Sequence, residues 1–232
     1  WELARPALER HPETAQDRDR LASVLADRRV DSRAFFGRVG GDWSDVRREL
    51  FGDRVTSLAL LDLLDPSWTV ADLGCGTGEA SELLAPCVAR VVAIDRERAM
   101  LDAARKRLGA RRNVEFRQGA LEALPLKDGE ADAAVMMLVL HHVPDPGKVL
   151  AEAARGTRAG SFTLVVDLVP HDRRAYAARM GHLHMGFGEA ALRDFARGAG
   201  IELVRHRTLP PEPRTSGPGL FSALFRAGNR PR

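Results

Sequence analysis

The spacing of apolar residues changes character along this chain. Up to about residue 64 it is helical: Leu21, Val24 and Leu25 in "RDRLASVLADRR", then Phe35, Phe36, Trp43, Val46 and Leu50 in "SRAFFGRVGGDWSDVRRELFG". These runs predict an amphipathic helix, then a helical segment broken at Gly40-Gly41, then a helix over 55–64 stopped by Pro66. From Trp68 short β-rich runs follow at 69–73, 90–94, 113–117, 132–139 and 161–168. Helical patterns over 78–86 and 97–108 separate the first three. Another over 146–157 precedes the fifth, behind Asp145 as N-cap and Pro146 at the first helical position.

Strand-helix alternation of this kind predicts a parallel sheet with helices on both faces. The end of the chain breaks the rule. A helix over 189–198 and Gly200 lead into a strand over 201–208, a Pro-rich loop and a strand over 219–226. No helix separates these last two strands, so they are expected to pair antiparallel. Residues 1–52 read as a linker and helical lid, and 53–232 as the main α/β domain.

Composition narrows the class. Hydrophobic residues form 44% of the 232, enough for a sizeable core. The longest apolar run, Ala133 to Leu140, is far short of the ~18 residues of a membrane span. No membrane partner is expected, and no basic-then-apolar leader opens the chain. The start at Trp1 reads as that of a fragment or processed form. Two cysteines, Cys75 and Cys87, give no disulfide framework and favour a cytoplasmic location. The net charge is +3, and all but three of the 35 basic residues are arginine. Nucleic-acid binding would use such arginine, but 32 acids are interleaved with it and no like-charge block forms.

The chemistry concentrates in "VADLGCGTGEAS" after the first strand. Its glycines are Gly74, Gly76 and Gly78, and Glu79 follows them. A phosphate loop would need Lys-Ser or Lys-Thr after the last glycine, and a dinucleotide loop a glycine at 79. Asp72 opposes a polyphosphate and suits a cation. Asp95, at the end of the second strand, stands where an acid accepts ribose hydroxyls. A cationic amino-acid end and a ribose together describe S-adenosylmethionine.

With "VVAIDRERAMLDAAR", "VEFRQGALEALPL" and "DAAVMMLVLHHVPDPGKVLAEAAR", this loop resembles the successive motifs of class I S-adenosylmethionine-dependent methyltransferases. Within them it is most similar to the ubiquinone and menaquinone C-methyltransferase group (type 11). The resemblance spans about residues 68–208. It implies a Rossmann-like seven-stranded sheet with the last strand antiparallel, S-adenosylmethionine as methyl donor, and a small organic acceptor. More narrowly, "FFGRVGGDWSDVRRELFG" and "VDLVPHDRRAYAARMGHLHMGFGEAALRDFARGAG" resemble the methyltransferase half of proteins fused to an ArsR-type winged-helix regulator. That likeness would confine nucleic-acid contact to a preceding winged helix. It also admits a sensor function for the domain. A homodimer is compatible with either reading.

By position, Asp72, Gly74, Gly76 and Gly78 would hold the methionine part and Asp95 the ribose. Arg96 and Met100 would line the adenine side, with Gly119, Ala120 and Leu121 framing the ring. The family commonly has Gly-Asp where Gly119-Ala120 stands, so a charged acceptor for the adenine amino group is expected to be missing. His141 and His142, after the fourth strand, are candidates for acid-base work or for packing and capping. His171 and His182, with Asp172 and His184, are acceptor-pocket candidates, and Tyr176 and Arg179 stand nearby in sequence. Loop histidines are more often pocket or surface residues than metal ligands, so no metal is expected from these four. Phe35, Phe36 and Trp43 would either cover the site or bury the lid helix.

Several chemistries are disfavoured. "MLVLHHV" replaces the Pro-Pro-aromatic element of nucleobase amine methylation. No Cys stands there for cytosine C5 attack. Two cysteines are too few for arsenite methylation.

Overall fold

A computed structural model describes residues 14, 16–21, 40–109, 111–211 and 215–228. The chain divides into two compact units, one ending at Ser57 and the other beginning at Leu58. In the first, residues 16–21 are helical, and a turn at 40–42 leads into helix α1, Trp43–Phe51. The turn takes in Gly40-Gly41, and the segment before it lies outside the described residues. Arg48 pairs with Asp45 at 2.9 Å and with Asp53 at 2.7 Å. Val24, Leu25, Phe35 and Phe36 lie outside the described residues. Helix α2, Val55–Leu60, continues as a 3-10 turn to Leu63.

The second unit is built on a seven-stranded sheet. Its strands are β1 (Thr69–Leu73), β2 (Arg90–Asp95), β3 (Val114–Gln118), β4 (Ala131–Met137), β5 (Thr157–Leu168), β6 (Ile201–Thr208) and β7 (Leu220–Ala227), in the order β3-β2-β1-β4-β5-β7-β6. The first five pair parallel. β7 pairs antiparallel with both β5 and β6, as the missing helix between the last two strands requires. β1 and β2 are almost wholly buried, the mark of strands covered on both faces.

The helices are α3 (Glu79–Leu84), α4 (Arg98–Leu108), α5 (Pro146–Gly156), α6 (Arg174–Met180) and α7 (Glu189–Gly198). α4 buries Leu101, Ala104 and Leu108 at helical intervals, leaving Met100 exposed. α5 starts as its sequence dictates: Asp145 accepts from the Lys148 backbone at 3.0 Å, and Pro146 stands at the first turn. Its Val149, Leu150 and Ala153 join the main core with Phe221 and Phe225 of β7.

Two elements differ from the pattern reading. β5 begins at Thr157 and not at 161, although Gly160 takes a φ of +77° and the β4–β5 register shifts there. α6 carries no apolar period, because only Ala177 of its seven residues is buried. The loop after β3 is pinned from both sides. Arg117 donates to the Pro125 carbonyl at 2.6 Å. Arg155 donates to the carbonyls of Leu126 and Leu124, and Glu152 accepts from the Leu124 backbone at 2.8 Å. Arg117 also bonds Glu130 and, with the nearby backbone donor Lys127, holds that carboxyl down to about 2.

Candidate functional site

From β1 the chain leads to β2 on one side, while β4 lies on the other, so the strand order reverses at the β1/β4 pair. Ligands of open α/β sheets bind at the carboxyl ends of strands at such a reversal. A cavity of about 640 Å³ lies there.

The glycine loop forms one wall. Gly74 has φ +73°, and a Cβ on it would stand 2.7 Å from both methyls of Val139, so neither the conformation nor the space admits a side chain. The backbone N–H groups of Gly74 and Cys75 both donate to the Ile94 carbonyl. Gly76 borders the cavity with open space at its Cα. Asp95 ties this loop to the end of β2: Oδ2 accepts from the Gly76 N–H at 2.8 Å and Oδ1 from the Glu97 N–H at 2.8 Å. Each oxygen keeps a further lone pair for a ligand hydroxyl.

Asp72 is 1% exposed and accepts from Ser81 Oγ at 2.5 Å. Burial pushes its carboxyl up to about 6; the Ser81 bond opposes this and the Asp95 charge adds to it. Cys75 is held far above the usual thiol range by burial and by the Asp72 and Asp95 charges, so it is no nucleophile.

The opposite wall comes from the end of β4. Leu138 takes φ +59°, uncommon for a side chain of its size, and turns the chain into a 3-10 turn over Leu140–His142. His142 reaches the cavity, and Gly181 and Leu183 approach it from the C-terminal end of α6. Leu183 N–H and His184 N–H both donate to the His141 carbonyl, which stitches the two segments together.

Of the residues assigned from sequence, Asp72, Gly74, Gly76, Asp95, Arg96, Met100, Leu121 and His142 line the cavity. Gly78 does not: it begins α3 with φ +82° and packs against Ala104 and Leu108. Gly119 faces Pro125, whose Cδ would be 2.6 Å from a Cβ there, and Ala120 only precedes the turn of Leu121. His141, His171 and His182 are not on the wall but form a ring cluster beside His142, with centroids of His141 and His182 4.2 Å apart and of His171 and His182 6.4 Å apart. Tyr176 joins this cluster at 5.4 Å from His182. His184 turns away to the Val143 carbonyl.

The sequence reading did not find Glu122, whose side of the turn after β3 borders the cavity. Ala120 is not among the lining residues, and Glu122, two residues later, is an acid on this wall. The signal was an acid inside "GALEALPL". Leu138 and Leu183 were also unassigned, because only the tertiary turn brings them in.

Residues 71–165 match the family model described as a methyltransferase domain. Over 126 residues the chain is 35% identical to a ubiquinone biosynthesis O-methyltransferase of Hahella chejuensis, covering 51% of this chain and 53% of that one. It is 35% identical over 111 residues to a demethylmenaquinone methyltransferase of Clavibacter sepedonicus, covering 46% and 45%. An uncharacterized 37.1 kDa protein in transposon TN4556 of Streptomyces fradiae is 42% identical over 139 residues, 57% of this chain and 40% of that protein. The chain thus spans about half, or less, of the curated relatives it matches. Among solved structures, the YcgJ protein of Bacillus subtilis superposes with a TM-score of 0.64 at 17% identity, covering 75% of this chain and 99% of that one. The [4+2]-cyclase SpnF superposes at 0.63 with 19% identity, covering 76% and 82%. The matched residues are similar to methyltransferase domains, among them that of a Mycolicibacterium smegmatis protein named as S-adenosylmethionine-dependent. The sheet of this chain is the Rossmann-like one of that class.

Proposed function

We propose that this protein transfers a methyl group from S-adenosylmethionine to a small organic acceptor. The observation that carries the proposal is the cavity at the strand reversal, with Asp72, Asp95 and His142 on its wall. Asp72 supplies a counter-charge to the amino-acid end of the donor. The free lone pairs of Asp95 accept the ribose hydroxyls. Met100 and Leu121 offer apolar faces to adenine, and Glu122 stands where the amino group can donate.

The sulfonium is an activated leaving group, so displacement at the methyl carbon needs alignment more than acid-base power. The acceptor's lone pair forms the new bond while the carbon–sulfur pair remains on sulfur. His142 borders the cavity, where its imidazole can meet the acceptor. The quinone-methylating relatives support a small acceptor. Fold alone does not fix the chemistry, since a named cyclase shares it. The deciding experiment is incubation of methyl-labelled donor with the protein and a fractionated cell extract. Label in the low-mass fraction supports the proposal; label only in RNA, or none, opposes it.

Kinship with ArsR-type fusions is the finer proposal, carried by "PHDRRAYAARMGHLHMGF". A winged-helix segment encoded upstream in the same reading frame supports it, and an unrelated segment there counts against it.

A further inference from the structure

The histidine cluster is wired in a way that acid-base catalysis does not require. His141 Nδ1 lies 2.7 Å from Asp167 Oδ1, and both groups are buried. The carboxylate accepts, so the His141 Nδ1 carries a proton, and in the neutral ring Nε2 holds the lone pair. His142 Nδ1 lies 3.1 Å from the Gly181 carbonyl, which can only accept, so its Nε2 is also a lone pair. His182 Nδ1 is buried with no hydrogen-bond partner among the described residues. Ring centroids of His141 stand 4.1 Å from His142 and 4.2 Å from His182. One ring nitrogen from each of the three lies within 4.8 Å of the other two.

Imidazole nitrogens brought this close repel unless a proton or a cation sits among them. The backbone is already set. The His141 carbonyl accepts from Leu183 and His184, and the His182 N–H donates to Ala177 at 2.9 Å.

We propose that His141, His142 and His182 form a three-histidine site for a first-row divalent cation, zinc foremost, with Asp167 as the outer carboxylate that orients His141. Three imidazoles with a fourth position open are the ligand set of a catalytic zinc, and a carboxylate behind a ligating histidine is its usual support. Bonds of about 2 Å in a tetrahedron need nitrogens roughly 3.4 Å apart, so the rings close by about an ångström on loading. His142 is exposed and can make that movement. His142 also borders the cavity, so the site adjoins it. Its function there rests on the methyltransferase reading. An acceptor hydroxyl or thiol bound to the cation loses its proton to solvent, and the resulting anion takes the methyl while the donor's carbon–sulfur pair stays on sulfur.

The test uses the untagged, chelator-stripped protein. Calorimetry with zinc is expected to show one ion per chain, and cobalt to give the visible absorption of a tetrahedral nitrogen site. His182→Ala should weaken zinc at least tenfold and abolish the cobalt band. Asp167→Asn should weaken it about 10- to 100-fold. His142→Gln, at the exposed ligand, serves if His182→Ala lowers thermal stability. No zinc uptake by wild type, or equal uptake by the variants, overturns the site. S-adenosylhomocysteine is titrated into the same samples. Its binding without zinc uptake overturns the metal site and leaves the methyltransferase reading intact, whereas zinc uptake without its binding supports the site and counts against that reading.

Discussion

Asp72→Asn is expected to stabilise the ligand-free protein while weakening its ligand. The Asp72 carboxyl is fully enclosed, has Ser81 Oγ as its side-chain donor at 2.5 Å, and sits in the field of Asp95. It is held at about 6 against an ordinary 3.8, which at pH 7 corresponds to an ionisation penalty of about 3 kcal/mol in the folded state. The folded pKa is raised, so this residue's contribution is fully favourable below about 3.8 and is lost as pH rises through about 6. Asparagine keeps the shape and still accepts from Ser81 without charge. Its advantage over aspartate should therefore be near zero at pH 3.8, grow through pH 5, and level off at up to about 3 kcal/mol by pH 7. Urea unfolding of both proteins across that range measures it. The same variant should bind S-adenosylhomocysteine at least about tenfold more weakly at pH 7, or 1.4 kcal/mol, because the ligand's ammonium loses its counter-charge. A stability difference that does not change with pH, or a destabilised variant at pH 7, would refute this account of Asp72.

Three further outcomes are expected. Asp95→Ala should cost at least about 1 kcal/mol of S-adenosylhomocysteine affinity, since it removes the ribose acceptor and frees the Gly76 and Glu97 N–H groups; an unchanged calorimetric titration removes it from that role. Glu122→Gln should weaken S-adenosylhomocysteine about fivefold, roughly 1 kcal/mol, and its inosine analogue much less, because only adenine has an amino group to donate; equal losses for both ligands place Glu122 off the adenine edge. His182→Ala should lower turnover or acceptor affinity and leave S-adenosylhomocysteine affinity within about twofold, as His182 lies outside the cavity wall; collapse of cofactor binding in a folded variant contradicts the division between donor and acceptor ends.

The sheet was legible in the sequence because its strands are short apolar runs punctuated by capped helices. Asp145-Pro146 marks the start of α5 as clearly in sequence as in space. α6 was not legible, since a short helix with one buried residue leaves no period. The cavity wall around the glycine loop was legible because Asp72, the loop and Asp95 are fixed by their places at strand ends. Glu122 was missed because the position of the expected acid, 120, holds alanine, and a 3-10 turn was needed to bring the next acid onto the wall. The histidines show the limit most plainly. Proximity in sequence groups His182 with His171, Asp172 and His184. The His141 carbonyl, bonded to the segment after α6, groups it with His141 and His142 instead.

The most direct test of the central claim is calorimetric titration of the wild-type protein with S-adenosylhomocysteine. The account predicts saturable binding at one site per chain, strengthening from pH 5 to pH 7 as Asp72 ionises. The absence of saturable heat at any pH in that range would contradict it.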